Sequence, residues 1–528
     1  MKNNFTLALT FAAAFFANTG TAQQSCIELA ADIADGAPNS IPSEIIEFMG
    51  ELYFAASNDI DGTELWKYDG TDATMVMDIR PGVFGSNPSG FAIAGSYLYF
   101  SANDGSNGTE LWKFDGTTAT LAADINPGFY HANPANLTPL ASGLYFSADN
   151  GTDGEELYFY NGTSAVQAAD INPGAAGSNI AEIVVADDDL YFIADDGTNG
   201  EELWYYDGGS ASMVANINPT EGSSIEELTA LGSSIFFRAN DGTNGMELWE
   251  YDGSSATMIE DINPGAANSN PWELTVVGSE LYFRAIEPVA GYELWVYDGT
   301  GVSNVTDIFP GTHPNSSVPQ NLAAIDGNLY FSAENGSTGR EPYVYDGTSV
   351  TAIGNIQSGG GDSNPENFTQ LGTFVYFTAE TSGEGRELYS YDGEDFMMEA
   401  DLYSGSTGSN PSYLTPYNDY MIFAADDGSV GIELFTSECY IISGIEETQA
   451  EAQLFEAYPN PAQDVIQLNS AINGELLITI VDYSGQTVLN QMVNDSMTEI
   501  NLSDLAPGMY MIIGTNNGST QVQKIVKR

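Results

Sequence analysis

Histidine and cysteine are nearly missing from this chain, with two of each in 528 residues. That leaves little material for His- or Cys-ligated transition metals, or for histidine-based acid–base catalysis. Basic residues are almost as scarce: 11 Lys and Arg stand against 74 Asp and Glu, for a formal charge of −63. Without a basic surface to neutralise phosphates, a nucleic-acid partner is excluded, and attraction to anionic membranes is disfavoured. Beyond the N-terminus no apolar run approaches 18 residues, so the mature chain is expected to have no membrane span. Helical periodicity is missing too, and the recurring Gly, Pro and Asn-Gly punctuation disfavours a helical solenoid. What remains is rich in core-forming side chains. Hydrophobic residues make up 42% and aromatics 12%, which argues against a disordered acidic polymer and for an all-β fold with large cores.

The N-terminus reads as a secretory signal peptide over residues 1–22. Lys2 supplies the positive end, Phe5 to Ala17 the apolar run, and Gly20-Thr21-Ala22 a small-residue cleavage site. Gln23-Gln24-Ser25 before Cys26 lacks the pattern of a lipid-attachment site. The last 75 or so residues differ from everything before them: alternating apolar residues with Ser-Gly, Asn-Gly and Pro-Gly turns predict a small β-sandwich over 454–528, after a linker at 441–453. Pro459-Asn460-Pro461, Asp482 to Gly485, Leu505 to Tyr510 with Gly508, and the basic end Lys524, Lys527, Arg528 occur in order. This segment resembles the C-terminal sorting domain of type IX secretion cargo. The resemblance implies the type IX machinery as a partner, passage through the outer membrane of a Gram-negative bacterium, and a secreted or surface-attached product.

Between the two ends the chain repeats. ELWKYDGT begins at Glu64, and versions of it begin at Glu110, Glu156, Glu202, Glu247, Glu293, Glu341 and Glu387, with a truncated copy at Glu433. Successive glutamates are 46, 46, 46, 45, 46, 48, 46 and 46 residues apart. The region resembles the ELWxxDGT-repeat family, a resemblance that adds a name and no established chemistry. Each unit holds four short strand signals, the number in a propeller blade. Residues 27–42 look like a fourth strand and exit loop without the preceding three, and the copy at Glu433 has three strands without a fourth. Complementary ends predict a single nine-bladed β-propeller over 23–440, closed by N-terminal strand exchange; eight blades with an irregular edge is the alternative. Aligned on the repeat, Cys26 takes the position of Asp72 and Cys439 that of Gly70. The two cysteines therefore flank the turn that the missing connection would make, and an exported protein matures where a disulfide between them can form.

Candidate chemistry is sparse. The loops before each ELW are acidic and Gly-rich, and the first, NDIDGTE, comes nearest to a calcium loop, with Asp59, Asp61 and Glu64 as oxygen ligands for Ca2+. The competing reading is structural: Asp and Asn hold their own turns, and the recurring Glu accepts backbone N–H bonds. Trp66, Trp112, Trp204, Trp249 and Trp295 recur at one strand position and are expected to pack between sheets. Trp272 falls outside that position and is the tryptophan expected to be exposed for ligand binding. His131 and His313 lie at different offsets in their loops, which argues against a catalytic pair. Ile286 to Tyr292 and Gly359-Gly360-Gly361 depart from the repeat and are candidates for a partner site. No catalytic constellation stands out. The chain reads as a non-enzymatic binding or adhesion propeller for extracellular glycan, matrix or protein ligands, with a secreted carbohydrate-active enzyme as the alternative.

Overall fold

A computed structural model describes residues 27–36, 38–141, 143–310 and 316–437, and most of 454–527 apart from short turns. The segment 1–22, Cys26, Cys439, the 441–453 linker, His313, Pro459, Asn460, Pro461 and Arg528 lie outside the described residues. Every element among those described is a β-strand. The chain divides into two compact units, 1–440 and 441–528.

In the first unit, Ser43–Phe48, Glu51–Ser57, Thr63–Tyr68 and Ala73–Met77 form one antiparallel sheet in chain order. The pattern recurs down to the sheet that ends at Phe396–Met398, giving eight such sheets among the described residues. A ninth takes Ser412–Tyr417, Tyr420–Asp426 and Ile432–Thr436 from the end of the unit and its outer strand, Glu28–Ala31, from the beginning. In that last pairing Glu28 lies opposite Thr436 and Leu29 opposite Phe435.

Burial follows strand position. Second strands such as Tyr97–Asn103 are buried on both faces through their middle, whereas fourth strands such as Ala73–Met77 stay half exposed. A strand covered on both faces reads as a continuous apolar run, which is why LYF recurs in the second strands. The cover comes from the neighbouring sheet. Phe48, Tyr53 and Leu65 of the first sheet share a core with Leu98, Phe100 and Trp112 of the second. Trp66 and Phe54 of the first share another with Tyr417, Ile422 and Leu434 of the ninth. The repeated Trp thus packs between sheets. The innermost strand of the first sheet neighbours those of both the second and the ninth.

The third and fourth strands meet at an Asp-Gly turn. Asp69 Oδ1 accepts the N–H groups of Thr71 and Asp72 at 2.9 and 3.0 Å, and Gly70 takes φ +96°, a conformation open to glycine at little cost. Hydrogen bonds from Asp72 and Thr71 hold the Asp69 carboxyl below the usual range.

A second device is absent from the repeat motif. The second residue of each innermost strand is left-handed, as at Glu44 (φ 53°), Glu182 (φ 47°), Glu227 (φ 66°) and Glu273 (φ 59°). The strand bulges there, and the side chain swings to the next sheet. Glu44 accepts Gly90 N–H at 2.6 Å, Glu182 accepts Leu228 N–H at 2.8 Å, and Glu273 accepts Leu322 N–H at 2.9 Å. Asn136 and Asn321 make the same crossing as donors, to the carbonyls of Ile180 and Pro365.

The second unit has a three-stranded sheet (Phe455–Tyr458, Val465–Ser470, Met497–Asn501) and a four-stranded one built on Leu476–Asp482 and Gly508–Asn516. Both contribute to one core, including Phe455, Ile466 and Leu468 from the first and Ile478, Ile512 and Ile525 from the second. Gly508 lies opposite Lys527 and Met511 opposite Lys524. Tyr510 is buried, and Lys527 Nζ donates to the Leu505 carbonyl at 2.7 Å.

Candidate functional site

The recurring glutamate is fully buried in every repeat: all nine, from Glu64 to Glu433, are 0% exposed. Its carboxylate points at the loop that leaves the fourth strand. Glu64 accepts the N–H groups of Ile79 and Arg80 at 3.1 Å, Ser86 N–H at 2.8 Å and Ser86 Oγ at 2.5 Å. Glu247 repeats this with Ile262 and Ser269, and Glu341 with Ile356, Gln357 and Ser363. Glu433 turns instead to the start of the chain. It accepts Ile33 N–H at 2.8 Å, Ser40 N–H at 3.0 Å and Ser40 Oγ at 2.6 Å. Burial raises these carboxyls, Glu110, Glu247 and Glu293 to about 7 and Glu387 to about 6. The serine hydroxyl has a second neighbour in several repeats, the carbonyl just before the glutamate, as with Ser269 and Met246 at 3.2 Å. It can donate to an ionised glutamate or accept from a protonated one while donating to the carbonyl.

Each exit loop is wedged between two others. A Cβ placed on Gly62 would lie 2.4 Å from Gly85 N in the exit loop of its own sheet, and one on Gly105 would lie 3.2 Å from Arg80 Nε of the preceding sheet. Gly108 meets Tyr130 O, and Gly151 meets Asn126. The two glycines of each DGxxG loop therefore leave room for the exit loops on either side, and this face is an interlocked set of loops.

The residues singled out for calcium are not gathered into one site. Glu64 faces the exit loop, Asp61 takes the Asn58 amide at 2.9 Å, and Asp59 is exposed with φ 64°. Among the described residues, no group of three or more His, Cys, Asp or Glu is arranged to hold a metal ion.

Trp272 is half buried, and the Arg238 guanidinium from the preceding sheet lies over its ring, 3.4 Å from the centroid. That face is therefore occupied. Arg238 also pairs with Glu226. The irregular Ile286–Tyr292 segment comes to the same place: Tyr292 accepts Asn270 Nδ2 at 3.2 Å, and Arg284 lies 5.6 Å from the Tyr292 ring centroid. His131 Nδ1 accepts Thr109 N–H at 3.0 Å and so ties down its own loop.

The most exposed aromatics are elsewhere. Phe84 is 73% exposed, Phe129 80% and Tyr130 71%, all on the exit loops of the first two sheets. The tips of the equivalent loops carry small or polar residues, as in AAG (175–177) and GAAN (265–268). That contrast was visible in the repeats once they were aligned.

Residues 456–528 match the secretion system C-terminal sorting domain. The chain thus carries a type IX sorting tail. No curated protein matches the chain in sequence. Solved structures that resemble it include the β-propeller domain of the Trilobed protease from Pyrococcus furiosus, at 12% identity and a TM-score of 0.32, over 60% of this chain and 97% of that one. PorZ, a surface component of the type IX secretion system of Porphyromonas gingivalis, is 12% identical with a TM-score of 0.25, over 92% of this chain and 75% of its own. Prolyl oligopeptidase B from Galerina marginata is 12% identical with a TM-score of 0.38, over 64% and 55%. Likenesses this distant carry no argument about activity.

Proposed function

We propose that the first unit is a nine-bladed propeller, closed where Glu28–Ala31 completes the last sheet. In this reading it is exported by the type IX machinery to the outer cell surface, where it acts as a non-catalytic binding or adhesion module for extracellular glycan, matrix or protein ligands. One observation carries the non-catalytic part. The carboxylate that recurs in every repeat is buried against loop N–H groups, and its task is to hold nine loops in place. Those loops form a broad rigid face, the surface on which binding functions are built. A panel of polysaccharides and matrix proteins, assayed for both retention and cleavage, tests the reading. Retention without product is expected, and turnover of any polysaccharide overturns it in favour of a secreted carbohydrate-active enzyme.

The closure carries its own expectation. Glu28 and Thr436, the last paired residues of the ninth sheet, are two and three positions from Cys26 and Cys439. A non-reducing peptide map should recover these cysteines as one linked pair. Constraint of so long a loop contributes at most about 6 kcal/mol on the chain-entropy argument. Cys26→Ser should therefore lower the melting temperature while keeping the β-sheet signal. Two free thiols in exported protein would refute the bridge.

A further inference from the structure

We infer that the exit loops of the first and second sheets form a platform for a neutral polysaccharide, with Phe84, Phe129 and Tyr130 as its stacking surfaces; this rests on the binding reading above. The rings stand on clamped supports. Glu64 holds Arg80 and Ser86 on either side of Pro81–Gly85, and Glu110 holds Asn126 and Ala132 on either side of Pro127–His131. Each aromatic tip is thus a five-residue segment fixed at both ends, so little ordering remains for a ligand to impose. The two tips flank one loop, Asp104–Gly108: Arg80 lies against Gly105 and also 5.4 Å from the Phe84 ring centroid, and the Tyr130 carbonyl lies against Gly108.

The chemistry selects the ligand. Exposed rings on two tips, with a polar loop between them, suit a chain that alternates apolar C–H faces with hydroxyls. A protein partner would be better served by one continuous apolar core. A chain of formal charge −63 opposes an anionic polymer. Phe309 and Tyr403, in two other exit loops, lie against Gly336 and Gly428 at the base, and the tips of those loops carry no Phe, Tyr or Trp, so the platform is confined to one sector.

Affinity electrophoresis of the full mature chain tests this, in gels containing galactomannan, xyloglucan or laminarin, with alginate as the anionic contrast. Retardation is expected in at least one neutral gel and not in alginate. Phe84→Ala combined with Phe129→Ala and Tyr130→Ala should weaken it at least tenfold with an unchanged melting temperature, while Phe129→Trp should retain it. Undiminished retardation of the triple variant overturns the platform and leaves the binding reading intact. Passage of the wild type through every neutral gel unretarded, or retention by a protein ligand alone, overturns the polysaccharide assignment. Release of reducing ends by a chain whose retention still depends on the three rings would instead overturn the non-catalytic reading and uphold the platform.

Discussion

Replacing Glu433 with alanine should free the first strand of the chain and lower stability sharply. The carboxylate accepts Ile33 N–H, Ser40 N–H and Ser40 Oγ, and all three contacts are made inside the protein. Ser40 N–H and Oγ keep the Ile432 carbonyl as an acceptor, but Ile33 N–H is left with none, so the loss is of the order of 2–4 kcal/mol once the cavity left by the side chain is included. Glu247→Ala removes a comparable brace but within one continuous stretch of chain, and its damage should stay local. The two variants therefore separate in limited proteolysis. Glu433→Ala should be cut first between residues 28 and 42, and Glu247→Ala near its own exit loop. If Glu433→Ala matches wild type in melting temperature and cleavage pattern, the brace does not hold the N-terminal strand.

Stability should also depend on pH in an unusual direction. Glu110, Glu247 and Glu293 are raised to about 7 and Glu387 to about 6, and the other five recurring glutamates are raised as well, by burial in each case. Unfolded glutamate titrates near its ordinary value of 4.5. Between about 4.5 and 7 the folded chain therefore holds more protons than the unfolded one, and stability falls as pH rises through that window. The contribution is fully present below the unfolded value and is lost above the folded one. The turn aspartates, such as Asp69, Asp115 and Asp207, are lowered by their backbone hydrogen bonds. Their contribution is present above 3.8 and disappears on further acidification. Thermal unfolding should thus peak near pH 5 and fall by several degrees towards pH 7.5, where the net negative charge also grows. A melting temperature that rises steadily from pH 5 to 8 would mean that the carboxylates are ionised throughout and that the loop donors outweigh burial.

The strands were legible because their signals are local. The LYF and ELW runs, the Asp-Gly turns and the 46-residue spacing need no knowledge of the fold. The matching fragments at the two ends pointed to the Glu28–Ala31 pairing with Ile432–Thr436, because a repeat reports what it is missing. The glutamate was half legible. Backbone N–H partners were anticipated, but they come from the exit loop 15 to 22 residues on, as with Ile79 and Ser86 for Glu64, rather than from the adjacent turn. For that reason Glu64 could also be read as a calcium ligand. Trp272 failed to be a free ring for a non-local reason: Arg238, on another sheet, lies over it. The crossings from Glu44 and Glu182 were not legible either, since left-handed backbone at a glutamate leaves no mark in sequence.

The clamped loops also explain where the repeat changes length. The serine that meets the glutamate lies 22 residues on for Glu64, Glu247 and Glu341, but 21 for Glu202 and 24 for Glu293. The repeats that follow Glu202 and Glu293 are the ones with 45 and 48 residues. The whole variation in period between the first repeats and the last is therefore absorbed at the loop tips, between the two clamped points. The scaffold tolerates added or deleted residues there without shifting a strand register. An epitope tag inserted between Ala175 and Ala176, inside the tip that Asn172 and Ser178 hold at either end, should leave the melting temperature at the wild-type value.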